Sequence, residues 1–252
     1  MFRLAIILFS LFVSTSDDMQ TGIGYFNARA TNANGLIAEE TNINKAIQIF
    51  EKILAENKNT EAVGGYYLRS LNFKGRFVLN NNTDKKKIYQ KAIEVGNKLI
   101  KAYPKSGVIR FELISSIGLL AEINGTIKSI ENEVLKLMLY HSEMLIKSDS
   151  MYMCGGGWKV LAILNYKTPN IPLVLTWPNK QTAKILLKKA LSYFPYNIPN
   201  NFYYAEALLE NNERATAMGY FQLVVKLPPR KDFILEDEYF KTKAQKYLEK
   251  KR

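Results

Sequence analysis

Cysteine and histidine are almost missing from this chain of 252 residues, which holds one of each, Cys154 and His141. A lone cysteine excludes an intrachain disulfide framework and any Cys-rich zinc or iron–sulfur site. A lone histidine excludes His-pair metal motifs and argues against an acid–base enzyme, while carboxylate chemistry stays open. Acidic residues are the minority, 23 against 35 Lys and Arg. Beyond the N-terminus no apolar run approaches the roughly 20 residues that span a bilayer, so no permanent membrane span is expected. What the chain does have is a hydrophobic fraction of 47%. That is enough to fill a core, and it argues against intrinsic disorder. Composition therefore points to a non-enzymatic binding or scaffold protein without cofactor or metal.

The N-terminus reads Met1-Phe2-Arg3, then Leu4 to Val13, then Ser14-Thr15-Ser16 before Asp17-Asp18. One positive charge, a short apolar stretch and small residues at two alternate positions describe a secretory signal peptide. The expectation is cleavage after Ser16, giving residues 1–16 as signal peptide, residues 17–252 as one mature domain, and a periplasmic location. The alternative is a buried N-terminal helix of a cytosolic protein.

An excess of basic residues suggests a polyanionic partner. The charges do not gather into one patch, however. Lys85-Lys86-Lys87 follows three asparagines, Lys188-Lys189 lies within an amphipathic pattern, and the last cluster is the C-terminus from Lys246 to Arg252. Runs of this kind are usually solvated helix faces. Export also removes the usual nucleic-acid partner, so no nucleic-acid binding is expected; anionic envelope surfaces are a third reading.

Periodicity is helical throughout the mature chain, without strand-like alternation. Helices are expected at Asn44–Asn57, Lys87–Tyr103, Ile130–Ile146, Gln181–Phe194 and Arg214–Leu227. These share a pattern: Ala46/Phe50/Ile53, Ala92/Gly96/Leu99, Leu137/His141/Met144, Ala183/Leu187/Ala190 and Ala217/Phe221/Val224. First members are separated by 46, 45, 46 and 34 residues. The pattern matches the second helix of a tetratricopeptide (TPR) repeat, whose period is about 34 residues. Small residues let a neighbouring helix approach, larger ones fill the gap, and proline ends the helix. The partner helices are expected at Glu61–Leu79, Gly107–Asn124, Gly156–Lys167 and Asn201–Asn211, with a closing helix at 236–250. Extra residues in the earlier units are assigned to connections between paired helices, as in Thr168 to Asn179. The fold class is thus all-α, a TPR-like α-solenoid of stacked helix pairs.

Gly155-Gly156-Gly157 precedes a helix, but neither P-loop nor dinucleotide spacing surrounds it, so a backbone turn is expected. Cys154 is expected as a small buried thiol and His141 as a packed neutral imidazole. The connection between Met153 and Pro178 interrupts the repeat where Trp158, Tyr166 and Trp177 concentrate, and Phe202 and Tyr203 open the next helix. Insertions in repeat proteins often build the binding face. Trp158, Tyr166, Trp177, Phe202 and Tyr203 are therefore the candidate ligand-binding residues, with aromatic core positions as the competing reading.

The stretch Met153-Cys-Gly-Gly-Gly-Trp-Lys-Val-Leu-Ala-Ile-Leu-Asn-Tyr-Lys167, with Pro169 and Pro172, continues through Thr182–Phe194, Phe202-Tyr-Tyr-Ala-Glu-Ala-Leu-Leu-Glu210 and Leu227-Pro-Pro-Arg230. In these motifs the chain resembles the TatT-like T-component of tripartite ATP-independent periplasmic (TRAP) transporters. The likeness covers roughly residues 40–250 in architecture and 152–230 in motif. It implies a non-catalytic helical-repeat protein of the periplasm, able to oligomerise, that binds a periplasmic solute-binding protein and a hydrophobic small molecule. The chain departs from the family by lacking a lipid-attachment cysteine near the expected cleavage point. The competing function is a generic TPR scaffold for protein–protein interaction in envelope assembly. A helical enzyme would instead need paired carboxylates facing one cleft about 5–9 Å apart.

Overall fold

The computed structural model describes residues 17–56, 60–124, 132–168 and 178–250. The expected signal peptide, Trp177 and most of the connection before Pro178 lie outside them. The described residues form eleven α-helices and no strand. They are α1 (17–27), α2 (Glu40–Ala55), α3 (Glu61–Phe77), α4 (Asn82–Ala102), α5 (Gly107–Ile123), α6 (Asn132–Asp149), α7 (Tyr152–Lys167), α8 (Lys180–Tyr193), α9 (Ile198–Glu210), α10 (Arg214–Lys226) and α11 (Ile234–Glu249). The chain gathers into two compact units that divide between Leu120 and Ala121, within the last turn of α5.

Local chemistry sets the helix starts. Asn81 and Thr60 accept from the backbone N–H groups of Asp84 and Val63, capping α4 and α3. Asn179 and Asn197 do the same for α8 and α9, and Pro199 takes a first-turn position where its missing N–H costs nothing. Pro104, Pro195 and Pro228 lie just beyond α4, α8 and α10.

In the first unit, α2 buries Ile43, Ala46, Ile47, Phe50 and Ile53 on one face. Glycines allow the helices of this unit to close. A Cβ on Gly64 would sit 2.9 Å from Leu99, one on Gly65 2.7 Å from Val108, and one on Gly96 3.0 Å from Leu113. Periodicity does not announce α1, because Gly22 and Gly24 read as helix breakers. The structure shows why Gly22 is tolerated: the Phe50 ring lies 2.7 Å from where its Cβ would stand. Helix α1 supplies the first member of the first pair. The extra residues of the next pair lengthen its helices rather than its connection: α3 and α4 have 17 and 21 residues, where α9 and α10 have 13 each. The expected insertion between those paired helices is thereby corrected.

In the second unit each helix from α6 to α11 packs on its successor, and α7 also touches α9, and α9 touches α11. That alternation is the stacking rule of a helical repeat, in which every other helix shares a layer. The triplets Ala183/Leu187/Ala190 and Ala217/Phe221/Val224 are fully buried. Of the expected triplet on α6 only His141 is buried, and the enclosed face continues one residue further on. Leu137 is exposed, whereas Met138, Ser142 and Leu145 are buried. Ser142 is the small residue of that unit, and its hydroxyl folds back onto the Met138 carbonyl at 2.7 Å. Its backbone carbonyl and Ile146 press against Gly157 of α7, where a Cβ would have no room.

Candidate functional site

In the second unit α7, α9 and α11 form one layer, and the polar chemistry of that layer centres on Glu206. This α9 carboxylate is buried. It accepts hydrogen bonds from the Tyr166 hydroxyl of α7 at 2.7 Å and the Tyr247 hydroxyl of α11 at 3.0 Å, and it pairs with Lys167 at 2.9 Å. One carboxylate thus ties three helices, with its charge met by an ammonium and two phenols. Burial, then the neighbouring Glu206 charge, push the Tyr166 and Tyr247 hydroxyls well above the usual phenol range. Both remain neutral donors.

The outward side of this layer carries rings and cations. Tyr203 and Tyr239 both pack edge-on against Phe240. The Lys243 ammonium lies 5.2 Å from the Tyr239 ring centre and 5.4 Å from that of Phe202. Lys167 lies 5.9 Å from the centre of Tyr203. Tyr203, Tyr239, Lys167 and Lys243 are all partly open to solvent. The Tyr239 hydroxyl donates to Glu122 at 3.2 Å.

Four of the five aromatic candidates from the sequence lie among the described residues, and their roles divide. Tyr166, Phe202 and Tyr203 come together in one cluster; Phe202 is wholly enclosed and Tyr166 nearly so. Trp158 lies outside that cluster, buried and stacked on Tyr193 at 5.7 Å with Lys189 over its ring. Trp177 falls outside the described residues. Trp158, Tyr166 and Phe202 are packing rings, so Tyr203 alone of the four offers contact area. The sequence reading missed Lys167, Glu206, Tyr239, Lys243 and Tyr247. A signal was present: Tyr239, Lys243 and Tyr247 recur every four residues along the closing helix, one stripe of tyrosine and lysine.

A second polar group lies at the start of α7. Met153, Cys154 and Gly155 have left-handed backbone, with φ of 49°, 56° and 78°, so the regular helix begins at Gly156. Two of these residues are not glycine, and such a turn persists only when its surroundings hold it. Asn200 donates to the Cys154 carbonyl at 2.9 Å, and the buried Lys159 ammonium donates to the Met153 carbonyl at 3.3 Å. The Cys154 thiol is half-buried rather than enclosed. Burial lowers the Lys159 pKa to about 8. Nearby Asp237 is wholly buried and is occupied by the Arg230 guanidinium at 2.7 and 2.9 Å.

The buried acids of the second unit, Glu206 and Asp237, are therefore both engaged in structural pairs. Among the described residues no group of three His, Cys, Asp or Glu side chains could hold a metal ion.

No family model matches the chain, and no curated protein sequence matches it either. Its backbone is similar to that of a thermophilic TPR protein from Thermus thermophilus, with a TM-score of 0.59 and 15% identity over 92% of this chain and 98% of that one. The fold is a TPR-like helical repeat. With that fold, the α7–α9–α11 layer corresponds to the row of first helices in successive pairs, the row in which the tyrosines and lysines lie.

Proposed function

We propose that this chain is a non-catalytic interaction protein that receives a segment of another protein on the α7–α9–α11 layer. The observation that carries the reading is the partly open row of Tyr203, Tyr239, Lys167 and Lys243, on a layer whose three helices Glu206 ties together. Tyrosine rings supply contact area at low entropic cost, and the Lys243 ammonium favours a segment bearing a carboxylate. In its finer form the reading is an exported T-component-like protein whose partner is a periplasmic solute-binding subunit, with an apolar small ligand. The motif stretch from Met153 to Arg230 and the charge–apolar–small order of residues 3–16 support that form. A generic envelope scaffold uses the same layer for a different protein.

Capture of the tagged full chain from the source cell's envelope, followed by mass spectrometry, tests the proposal. A solute-binding subunit in the captured material supports the finer form, and another protein supports the scaffold. In either case Tyr203→Ala/Lys243→Glu should release the partner while leaving helical circular dichroism unchanged. If the double variant retains every partner of the parent, the layer is not the binding face.

A further inference from the structure

The short connections that reverse the chain after α6, α8 and α10 all fall at one end of the second unit, because successive helices there pack antiparallel. Hydrogen bonding and packing confirm their proximity: Asn200 of α9 donates to Cys154 of α7, and Gly155 lies against Ala190 of α8. Four large hydrophobic side chains are exposed at this end: Met151, Tyr193, Tyr196 and Ile234, with Tyr196 at 74%. The backbone beneath them is braced by the Asn200 bond and by the Arg230–Asp237 pair, which clips the last connection to α11.

Cations gather at the same end. At this end Lys147, Lys188, Lys189, Lys226 and Lys231 are exposed and, among the described residues, form no ion pair. The exposed acids on these connections and the turns leading into them are Asp149 and Asp232. The carboxylate of Asp149 accepts the Tyr152 backbone N–H. Apolar anchors thus stand among five lysines that outnumber the acids of this end, Asp149, Asp232 and the partly open Glu236.

We propose that this end of the second unit docks on an anionic lipid surface. The inference is independent of the partner-binding layer above. Among the described residues no helix is long and apolar enough to cross a membrane, so the contact is interfacial. Tyrosine rings settle at headgroup depth with their hydroxyls toward water, while Met151 and Ile234 enter the acyl boundary. Lysine stems lie along that boundary and bring their ammonium groups to lipid phosphates. Anchors drawn from three separate connections suit a broad surface better than a single peptide chain.

Flotation of the full chain with phosphatidylcholine vesicles, with and without phosphatidylglycerol, tests this. Binding should be stronger on the anionic vesicles and weaken as salt rises. Lys189→Glu/Lys231→Glu should weaken it at least about tenfold, since each lysine near such a surface counts for a factor of about five. Tyr193→Ser/Tyr196→Ser should weaken it comparably, while Leu137→Ser/Ile185→Ser, also exposed but elsewhere on the unit, should bind as the parent does. Circular dichroism establishes that each variant is folded; because Tyr193 stacks on Trp158, the lysine variant carries the test if the tyrosine variant unfolds. Equal binding by the lysine variant and the parent, no preference for anionic lipid, or loss of a co-purifying protein without any vesicle binding would each overturn the proposal.

Discussion

Glu206 is the residue on which the second unit's polar design depends, because three side chains from the two other helices of its layer converge on it. Glu206→Ala leaves the enclosed Tyr166 hydroxyl without its acceptor. Truncating such a network should cost about 3–5 kcal/mol, read as a lower midpoint in urea; a change inside experimental error would mean the network is not cohesive. Lys159 works in the other direction. Its ammonium is buried with one carbonyl acceptor, and its pKa is lowered from 10.5 to about 8. Between these two values the unfolded chain binds more protons than the folded one, so stability rises with pH; below about 8 the penalty is fully present. Lys159→Met should therefore raise stability near pH 7 by about 1–3 kcal/mol, with a gain that shrinks toward about pH 9.5. Urea titrations of parent and variant at both pH values check it, and a pH-independent difference would exclude the buried charge as the cause.

At the scale of the helix, glycine has two unlike roles in this chain. A Cβ at Gly157 would stand 2.7 Å from Ile146 and 3.1 Å from the Ser142 carbonyl, whereas nothing lies within 4 Å of one at Gly219. Gly157→Ala should separate α6 from α7 and lower stability by about 1–3 kcal/mol. Gly219→Ala, in open space on a helix, should raise it by about 0.5–1 kcal/mol. Thermal melts of the two variants should shift in opposite directions. Helix positions were legible in the sequence to within a few residues for nine helices and for the closing one, because amphipathic period and caps are local. Two errors share one cause. Helix α1 contains Gly22 for the sake of the Phe50 ring, and the α6 register turns on which residue faces Gly157. Both depend on a partner distant in the chain.

For the whole molecule, the stacking of pairs makes energy local, since each helix touches mainly its neighbours. Ala205 is wholly buried in α9. Ala205→Trp should overpack the second unit by about 1–3 kcal/mol or more, while Lys250→Glu, exposed at the end, should change stability by less than about 0.5 kcal/mol. The two compact units lead to a sharper expectation. Amide exchange in Ala205→Trp should accelerate across residues 132–168 and 178–250, while α2, α3 and α4 keep the protection of the parent. Uniform acceleration would show that the units open as one.

The sequence by itself determined that this protein is all-helical, that its helices pair on a repeating small–large–small pattern, and that neither an intrachain disulfide nor a His-pair metal motif can be built from its residues. Those properties follow from residue counts over the chain, from the 3.6-residue period that any short window shows, and from its recurrence along the sequence. The proposed binding layer was decided elsewhere. Trp158, Tyr166 and Phe202 carry the same aromatic signal as Tyr203, yet packing encloses the first three and leaves the last partly open. The tertiary structure also chose Glu206 as the tie between α7, α9 and α11, by bringing Tyr166 and Tyr247, about 40 residues away on either side, within hydrogen-bond reach. Burial is a property of the neighbours, and the neighbours are set by how the pairs stack.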